Sequence, residues 1–109
     1  MKVLFLPEVR TYFRELSEIL FQKDYFGFEE YAINYVRELI FDIESSLPRK
    51  LSKPAPPYFN RYGKNMRYSI FKKNKTTQWY VFFTKHTKDN ELIYLVRYIS
   101  NNHVTAQHL

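Results

Sequence analysis

The sequence predicts one α+β domain, in which a strand, an antiparallel helix hairpin and a three-stranded antiparallel meander form one sheet with the helices on one face. Three observations predict it. The chain has 109 residues, so residues 1–109 are expected to form a single domain. Apolar residues recur at helical spacing in the first half, whereas aromatic and β-branched residues form strand-like runs in the second half. Two successive helices followed by strands are typical of the α+β class.

The first half of the chain is predicted to form a strand and two helices. Residues 2–6 are a short β-branched and aromatic run, and Pro7 suits the first turn of a helix, where a missing N–H costs nothing. Apolar side chains at three- and four-residue spacing predict amphipathic helices over residues 8–23 and 28–46. The short connection over residues 24–27 makes the two helices antiparallel neighbours.

The second half is predicted to form a loop and then a meander. Residues 48–64 contain four prolines and five bases, and we expect an ordered loop without regular structure there. Three runs rich in Tyr, Phe, Ile and Val then predict strands joined by two hairpin turns. The predicted strands are residues 65–73, 77–86 and 91–100, and the turns are residues 74–76 and 87–90.

Both faces of the last two predicted strands are apolar. Strict alternation puts Tyr94, Val96 and Tyr98 on one face of the last strand, and Arg97 and Ile99 on the other. Because two helices can cover only one face, we expect the second face to be a shallow aromatic and basic surface. The alternative is that the proline-rich loop and the C-terminal tail cover that face.

Composition excludes several classes of protein. No apolar run approaches the ~18 residues of a membrane span, and the N-terminal apolar stretch is too short for a signal peptide. We therefore expect a cytoplasmic protein with no membrane partner. The absence of Cys excludes disulfides and fits a reducing compartment. With only Gly27 and Gly63, no glycine-rich phosphate loop or dinucleotide fingerprint is possible, and the histidines lack metal-ligand spacing, so we expect no cofactor and no metal.

Charge is divided unevenly along the chain. Residues 1–48 carry five bases and nine acids, whereas residues 49–109 carry twelve bases and two acids. Such a concentrated positive field suits a polyanion, because neutralised phosphates release counterions. The alternative is that lysines on edge strands prevent aggregation. We favour a polyanion or an acidic protein as the partner.

The side chains available for chemistry in the basic half are cationic and aromatic. Such groups can hold phosphate, stack on bases and, through histidine, move a proton. They could cleave RNA without a metal by attack of the 2′-hydroxyl, which needs a base, cations for the developing charge and an acid for the leaving oxygen. For each histidine the alternative is a surface or capping role. The set comprises Lys64, Arg67, Tyr68, Trp79, Lys85, His86, Arg97, Tyr98, His103 and His108.

Five segments spread along nearly the whole chain carry a family resemblance, together with the element order and the charge division. The segments are MKVLFL, YFGFEEYAINYVRELIFDIESSLP, RYGKNMRYSIF, TTQWYVFFTKH and ELIYLVRYISNNHVTAQHL. They resemble the RelE/ParE superfamily of toxins from bacterial type II toxin–antitoxin systems. The resemblance implies a small toxin that a co-expressed antitoxin protein neutralises. Nuclease members of the family cut messenger RNA on the ribosome, and ParE-like members poison DNA gyrase.

The resemblance also implies roles for individual residues. Arg67 falls where the family nucleases have a catalytic cation, and His108 fits the recurrent functional group of the tail. Two positions depart from the nuclease pattern. Trp79 stands where an arginine is typical, and two asparagines at residues 101–102 stand where the last strand usually ends in a cation. These departures move the expected chemistry onto His103 and neighbouring bases.

The leading hypothesis is therefore a metal-independent endoribonuclease toxin. Its partners would be an antitoxin protein, the ribosome and messenger RNA. The alternatives are a non-enzymatic inhibitor of DNA gyrase and, third, a nucleic-acid-binding module with no toxin role. The expected catalytic residues are Arg67, His103 and His108, and the expected RNA-binding residues are Arg61, Lys64, Trp79, Lys85 and Arg97.

Overall fold

The computed structural model describes residues 1–22 and 27–102 and has an α+β fold built on a mixed five-stranded sheet. The helices are α1 (Pro7–Gln22) and α2 (Glu29–Ser46), and the 3-10 helices are Leu47–Arg49 and Pro57–Tyr62. The strands are β1 (Lys2–Phe5), β2 (Lys53–Pro54), β3 (Arg67–Lys72), β4 (Gln78–Lys88) and β5 (Glu91–Asn101). Both predicted helices and all four predicted strands are present. Most of the predicted connection at residues 24–27 lies outside the described residues. Within the described ranges, no helix has the length and apolar character needed to cross a membrane.

The strands lie in the order β1-β5-β4-β3-β2. β1 runs parallel to β5, with Phe5 opposite Val96, and the other neighbouring strands are antiparallel. The predicted meander is confirmed as β3, β4 and β5. The turn between β4 and β5 consists of Asp89 and Asn90, whose φ angles are 52° and 64°. Two successive positive φ angles match the twist of a tight hairpin, and this turn fixes the register of the two longest strands.

The proline-rich segment contains more regular structure than predicted. We expected none over residues 48–64, but the segment includes β2 and the 3-10 helix Pro57–Tyr62. Pro54 fits because β2 is an edge strand, where a residue without an N–H can leave its outer side unpaired. Pro57 fits because the first turn of a helix needs no N–H donor. The sheet therefore has five strands rather than the four expected.

The helices pack on one side of the sheet, which we call the helix face. The buried strand residues of this face are Phe5, Phe71, Trp79, Val81, Phe83, Tyr94, Val96 and Ile99. They form one core with the apolar stripes of α1 and α2. Leu39 and Ile43 of α2 are fully buried in it, as the helical spacing predicts. Lys73, beyond the end of β3, is bound to α2 through Glu38 at 3.9 Å and Asp42 at 3.5 Å.

The proline-rich segment covers the middle of the other side of the sheet, which we call the second face. Phe59 of the 3-10 helix is buried against Phe82 of β4, with ring centroids 4.4 Å apart. The expectation of an open second face is therefore wrong for this part, because the loop folds back over the strands. The predicted cover by the tail concerns residues 103–109, outside the described residues. Next to the β4–β5 turn the second face stays accessible, and His86 is exposed there.

A β-bulge interrupts the alternation of β5. Phe82 pairs with Tyr98, but the next residue, Phe83, pairs with Val96, so Arg97 is an extra residue in β5. Tyr98 therefore packs with Phe82 on the second face, with ring centroids 5.6 Å apart. The predicted grouping of Tyr98 with Val96 on one face is wrong, because the two-residue period ends at the bulge.

Candidate functional site

Arg97 lies on the second face, because it follows Val96 of the helix face and successive strand residues alternate. Arg97 is half-buried, and its Nε donates a hydrogen bond to Thr84 Oγ1 at 2.9 Å. Gly63 packs against its aliphatic stem, since a Cβ at Gly63 would lie only 2.7 Å from Arg97 Cδ. Gly63 also has a φ of 156°, a conformation that favours glycine. The absence of a side chain at Gly63 thus lets the loop hold the arginine stem in place.

Thr84 connects Arg97 to His86. Thr84 and His86 are two residues apart on β4, so both point to the second face, and Thr84 Oγ1 lies 2.7 Å from His86 Nε2. Because the hydroxyl already accepts a hydrogen bond from Arg97, it can donate its own proton to a neutral imidazole. An imidazole that carries a proton on Nε2 donates to Thr84 instead, and a neutral ring in this tautomer keeps Nδ1 free to accept a proton. We call these three residues the Arg97–Thr84–His86 cluster; it combines a fixed cation with a group that can accept or release a proton.

A cleft of about 620 Å³ adjoins this cluster, and Arg97 lines it. Tyr62 and Tyr98 also line it and stack on each other, with ring centroids 3.8 Å apart and planes 5° from parallel. Tyr12 enters from α1, and burial, together with the neighbouring Tyr98 and Tyr35 phenols, raises the pKa of Tyr12 to about 12. Burial and the Tyr98 phenol also raise the pKa of Tyr62. We call this the tyrosine cleft; the Tyr12 and Tyr62 phenols, whose pKa values are raised, stay neutral at physiological pH.

Arg67 lies on the helix face, on the other side of the sheet from Arg97. It pairs with Phe83 across β3 and β4, and Phe83 belongs to the helix-face core. Its Nε donates to Ser52 Oγ at 2.7 Å, and its Nη2 donates to the Ser52 carbonyl oxygen at 2.8 Å. These hydrogen bonds fix the chain before β2 onto β3. They give Arg67 a structural role, and its catalytic role stays a prediction.

Trp79 and Lys85 are also on the helix face. Trp79 is 1% exposed, and its Nε1 donates to Tyr35 Oη at 2.9 Å. A buried ring has no face on which a base can stack, so the prediction that Trp79 binds RNA is wrong. Lys85 is exposed, with its Nζ 5.5 Å from the centroid of the Tyr94 ring. The sheet therefore separates Lys85 from Arg97.

Arg61 and Lys64 lie in the segment that covers the second face, on either side of the Tyr62–Gly63 pair. Both are exposed. Arg61 Nε donates to the Tyr58 carbonyl oxygen at 3.2 Å, and the Arg61 guanidinium lies 4.2 Å from the Tyr58 ring centroid. Of the predicted RNA-binding residues, these two and Arg97 share one side of the molecule.

His103 and His108 lie outside the described residues, and their catalytic roles stay predictions. The described site adds Thr84. It also adds His86, which the sequence places among the available side chains but not among the expected catalytic or RNA-binding residues. One signal was available, because the tight turn before Glu91 sets the β4–β5 register and the i, i+2 spacing puts Thr84 and His86 on one face. Alternation from that turn also puts Arg97 on this face, but the bulge that adds Tyr98 to it has no comparable signal in the sequence.

Most of the positive charge of residues 45–88 has no carboxylate partner among the described residues. Residues 45–88 contain eleven bases and no acid. In the part of the chain that the structure describes, Lys73 is the one base among these eleven that has a carboxylate partner. Nor do the described residues bring together three histidine or carboxylate side chains that could hold a metal ion. The surface is one that attracts polyanions.

Comparison with known proteins found no match among protein-family models, curated proteins or solved structures. The function of this protein is therefore inferred from its own side chains. They define a class of site in which a fixed arginine, an imidazole and stacked tyrosines lie together on a basic surface.

Proposed function

We propose that the chain is a toxin of the RelE/ParE type that inhibits translation by cutting messenger RNA at the ribosome. The Arg97–Thr84–His86 cluster carries the proposal, because it puts a cation for phosphate two hydrogen bonds from an exposed imidazole. The unneutralised bases supply affinity for the RNA backbone. The stacked tyrosines supply a surface for unpaired bases.

The reaction that these groups fit is cleavage of RNA by its own 2′-hydroxyl. His86, in the tautomer whose Nε2–H donates to Thr84, removes the proton from the 2′-hydroxyl through Nδ1, and the 2′-oxygen attacks the adjacent phosphorus. The bond from phosphorus to the 5′-oxygen of the next nucleotide breaks, and that oxygen takes up a proton. Arg97 neutralises the charge that develops on the non-bridging phosphate oxygens. His103 or His108 is the proposed proton donor. The products are a 2′,3′-cyclic phosphate and a free 5′-hydroxyl.

The test compares variants of the cluster on purified ribosomes that carry a messenger RNA. We expect His86→Gln and Arg97→Gln each to lower the cleavage rate about 100-fold or more, the usual cost of losing a proton-transfer group or an oriented charge donor. Arg14→Gln is the matched control, since Arg14 is exposed on α1 and its side chain bonds to Thr11 of the same helix. His103→Ala and His108→Ala identify the proton donor.

Three results would contradict the nuclease proposal. The first is equal cleavage by the His86 and Arg97 variants and by the parent. The second is cleavage that stops when another divalent cation, such as Ca²⁺, replaces the Mg²⁺ that keeps the ribosome assembled. The third is an end other than a cyclic phosphate on the upstream fragment.

The proposed regulator is an antitoxin whose acidic segment lies over the basic half of the chain. Binding of such a segment should weaken as salt rises, because exposed charges are screened beyond ~10 Å at 0.1 M. An affinity that does not change between low and high ionic strength would instead indicate apolar docking.

One observation favours a second candidate, a non-enzymatic inhibitor of DNA gyrase. Arg67 stands at the place of a catalytic cation in the family nucleases, yet its guanidinium is bound to Ser52. A toxin that only binds its target needs no free cation at that place. Supercoiling by purified gyrase is the deciding assay, and inhibition by the parent without any cleavage of messages would select this candidate.

A further inference from the structure

We infer that the tyrosine cleft binds a guanine base of single-stranded RNA and that Glu8 recognises the Watson–Crick edge of this base. The inference deepens the proposed function and rests on it for the identity of the ligand as RNA. It can be tested separately, because a nucleotide can bind without being cleaved.

The size and the aromatic wall of the tyrosine cleft suit a nucleic-acid base. Its volume of about 620 Å³ lies within the ~300–1,000 Å³ typical of sites for small ligands. The Tyr62–Tyr98 stack forms part of the wall. Proteins that hold unpaired bases do so by stacking them on aromatic side chains. Tyr12, whose phenol stays protonated, adds a neutral hydrogen-bonding group. A flat ligand with hydrogen-bonding edges fits such a wall.

The tyrosine cleft is continuous with the proposed catalytic cluster. Arg97 lines the cleft and also donates to Thr84. A nucleotide whose phosphate binds Arg97 therefore has its base within reach of the cleft. The bulge in β5 produces this arrangement, since it brings Arg97 and Tyr98 to the same face as consecutive residues. The cleft thus lies where the base next to the reacting phosphate would be.

Glu8 gives the tyrosine cleft a carboxylate that can accept hydrogen bonds from a base. It is the one acidic residue among the described residues that line the cleft, and it is exposed. No salt bridge holds Glu8 within the described ranges. A carboxylate accepts hydrogen bonds with two oxygens and repels a second phosphate. Guanine offers two neighbouring donors, N1–H and N2–H, on its Watson–Crick edge. The other three bases put an acceptor beside their donor, so guanine matches Glu8 best.

The experiment measures equilibrium binding of the four nucleoside 3′-monophosphates to the full chain by calorimetry. We expect guanosine 3′-monophosphate to bind about 10-fold more tightly than the other three, the scale of discrimination by one bidentate contact to a base. Glu8→Gln should remove this preference and leave the binding of the other three unchanged. Glu15→Gln, an exposed carboxylate two turns further along α1, is the matched control and should keep the preference.

The aromatic wall is tested in the same assay. Tyr62→Ala should weaken the binding of all four nucleotides about 10-fold, whereas Tyr62→Phe should retain binding because it keeps the ring. Tyr31→Ala, at an exposed tyrosine on α2, is the control for the loss of a ring. Melting temperatures of all variants are measured first, and Tyr62→Phe answers the question if Tyr62→Ala does not fold.

The outcomes separate this inference from the proposed function. Selective binding of guanosine 3′-monophosphate that depends on Glu8, without any cleavage of messages, supports the cleft and overturns the nuclease. Cleavage of messages with equal affinity for all four nucleotides supports the nuclease and overturns the guanine assignment. No binding of any nucleotide at millimolar concentration also overturns the cleft as a base site.

Discussion

Gly63→Ala tests the contact that holds Arg97 in place. The added methyl group would lie 2.7 Å from Arg97 Cδ and 3.3 Å from Met66 Sδ. Carbon atoms in contact are normally ~3.5–4.0 Å apart, so the arginine stem has to move. The backbone adds a second cost. At φ 156° and ψ 145°, a residue with a side chain is strained by ~1–3 kcal/mol.

The stem of Arg97 cannot move without a further loss. Its Nε hydrogen bond to Thr84 would break or lengthen, and such a bond contributes ~1 kcal/mol. Together these costs lower the free energy of unfolding by ~2–4 kcal/mol. For a domain of this size, each kcal/mol lowers the melting temperature by ~4 °C. The expected fall is therefore ~8–16 °C.

Thermal and urea denaturation followed by circular dichroism measure this effect. Gly27→Ala is the matched control, because no atom of the described residues, apart from Gly27 and its chain neighbours, lies within 4 Å of the Cβ position of Gly27. We expect its stability to stay within ~1 kcal/mol of the parent. Equal melting temperatures for the Gly63 and Gly27 variants would refute the close packing of the loop on Arg97. At a temperature where the Gly63 variant is folded, cleavage of messages should still be reduced, because the arginine is displaced.

Three further predictions concern the core, the cleft and β3. Leu39→Asp should lower the free energy of unfolding by at least ~3 kcal/mol, because Leu39 is fully buried and the variant places a charge without a partner in the core. Phe41→Asp, at a side chain 67% exposed on the same helix, should lower it little. Similar melting temperatures for the two variants would contradict the assigned helix face. The free energy of unfolding should fall as the pH rises from 10 to about 12, because the Tyr12 phenol ionises in the unfolded chain while burial raises its pKa in the folded protein to about 12. Urea titrations of Tyr12→Phe should show a smaller fall across this range. An identical fall in the variant and the parent would argue against the buried phenol. Arg67→Ala should lower the melting temperature through loss of its hydrogen bonds to Ser52, and an unchanged melting temperature together with lost cleavage would return Arg67 to a catalytic role.

Periodicity predicted the elements of this fold better than their exact faces. The helices and the meander have strong repeats, and the positions of Leu39 and Ile43 in the core follow directly from helical spacing. The two-residue period of β5 fails at Arg97, because a bulge adds one residue without changing composition. A single inserted position was enough to transfer Tyr98 to the second face.

The candidate site depends on contacts between distant segments, which local patterns do not contain. The cover of Phe82 by Phe59 arises when a proline-rich loop folds back over the sheet, which the sequence supports only as the alternative to an open second face. Trp79 is predicted to lie on a binding surface because the sequence shows how many aromatic residues the chain has but not which of them are buried. Its burial depends on α2, whose Tyr35 accepts the indole hydrogen bond from 44 residues away.

The parallel pairing of β1 with β5 has a consequence for the order in which the chain folds. Residues 2–5 pair with residues 93–96, so the first strand to leave the ribosome has no sheet to join until nearly all of the described chain has been synthesised. Before that moment α1 and α2 lack much of the helix-face core, because β4 and β5 supply most of its strand residues. Contacts this distant in sequence must close a long loop before they stabilise anything, which slows folding. The sheet is thus completed late and cooperatively. Ribosome-bound fragments that end before residue 93 should therefore remain sensitive to protease along β1.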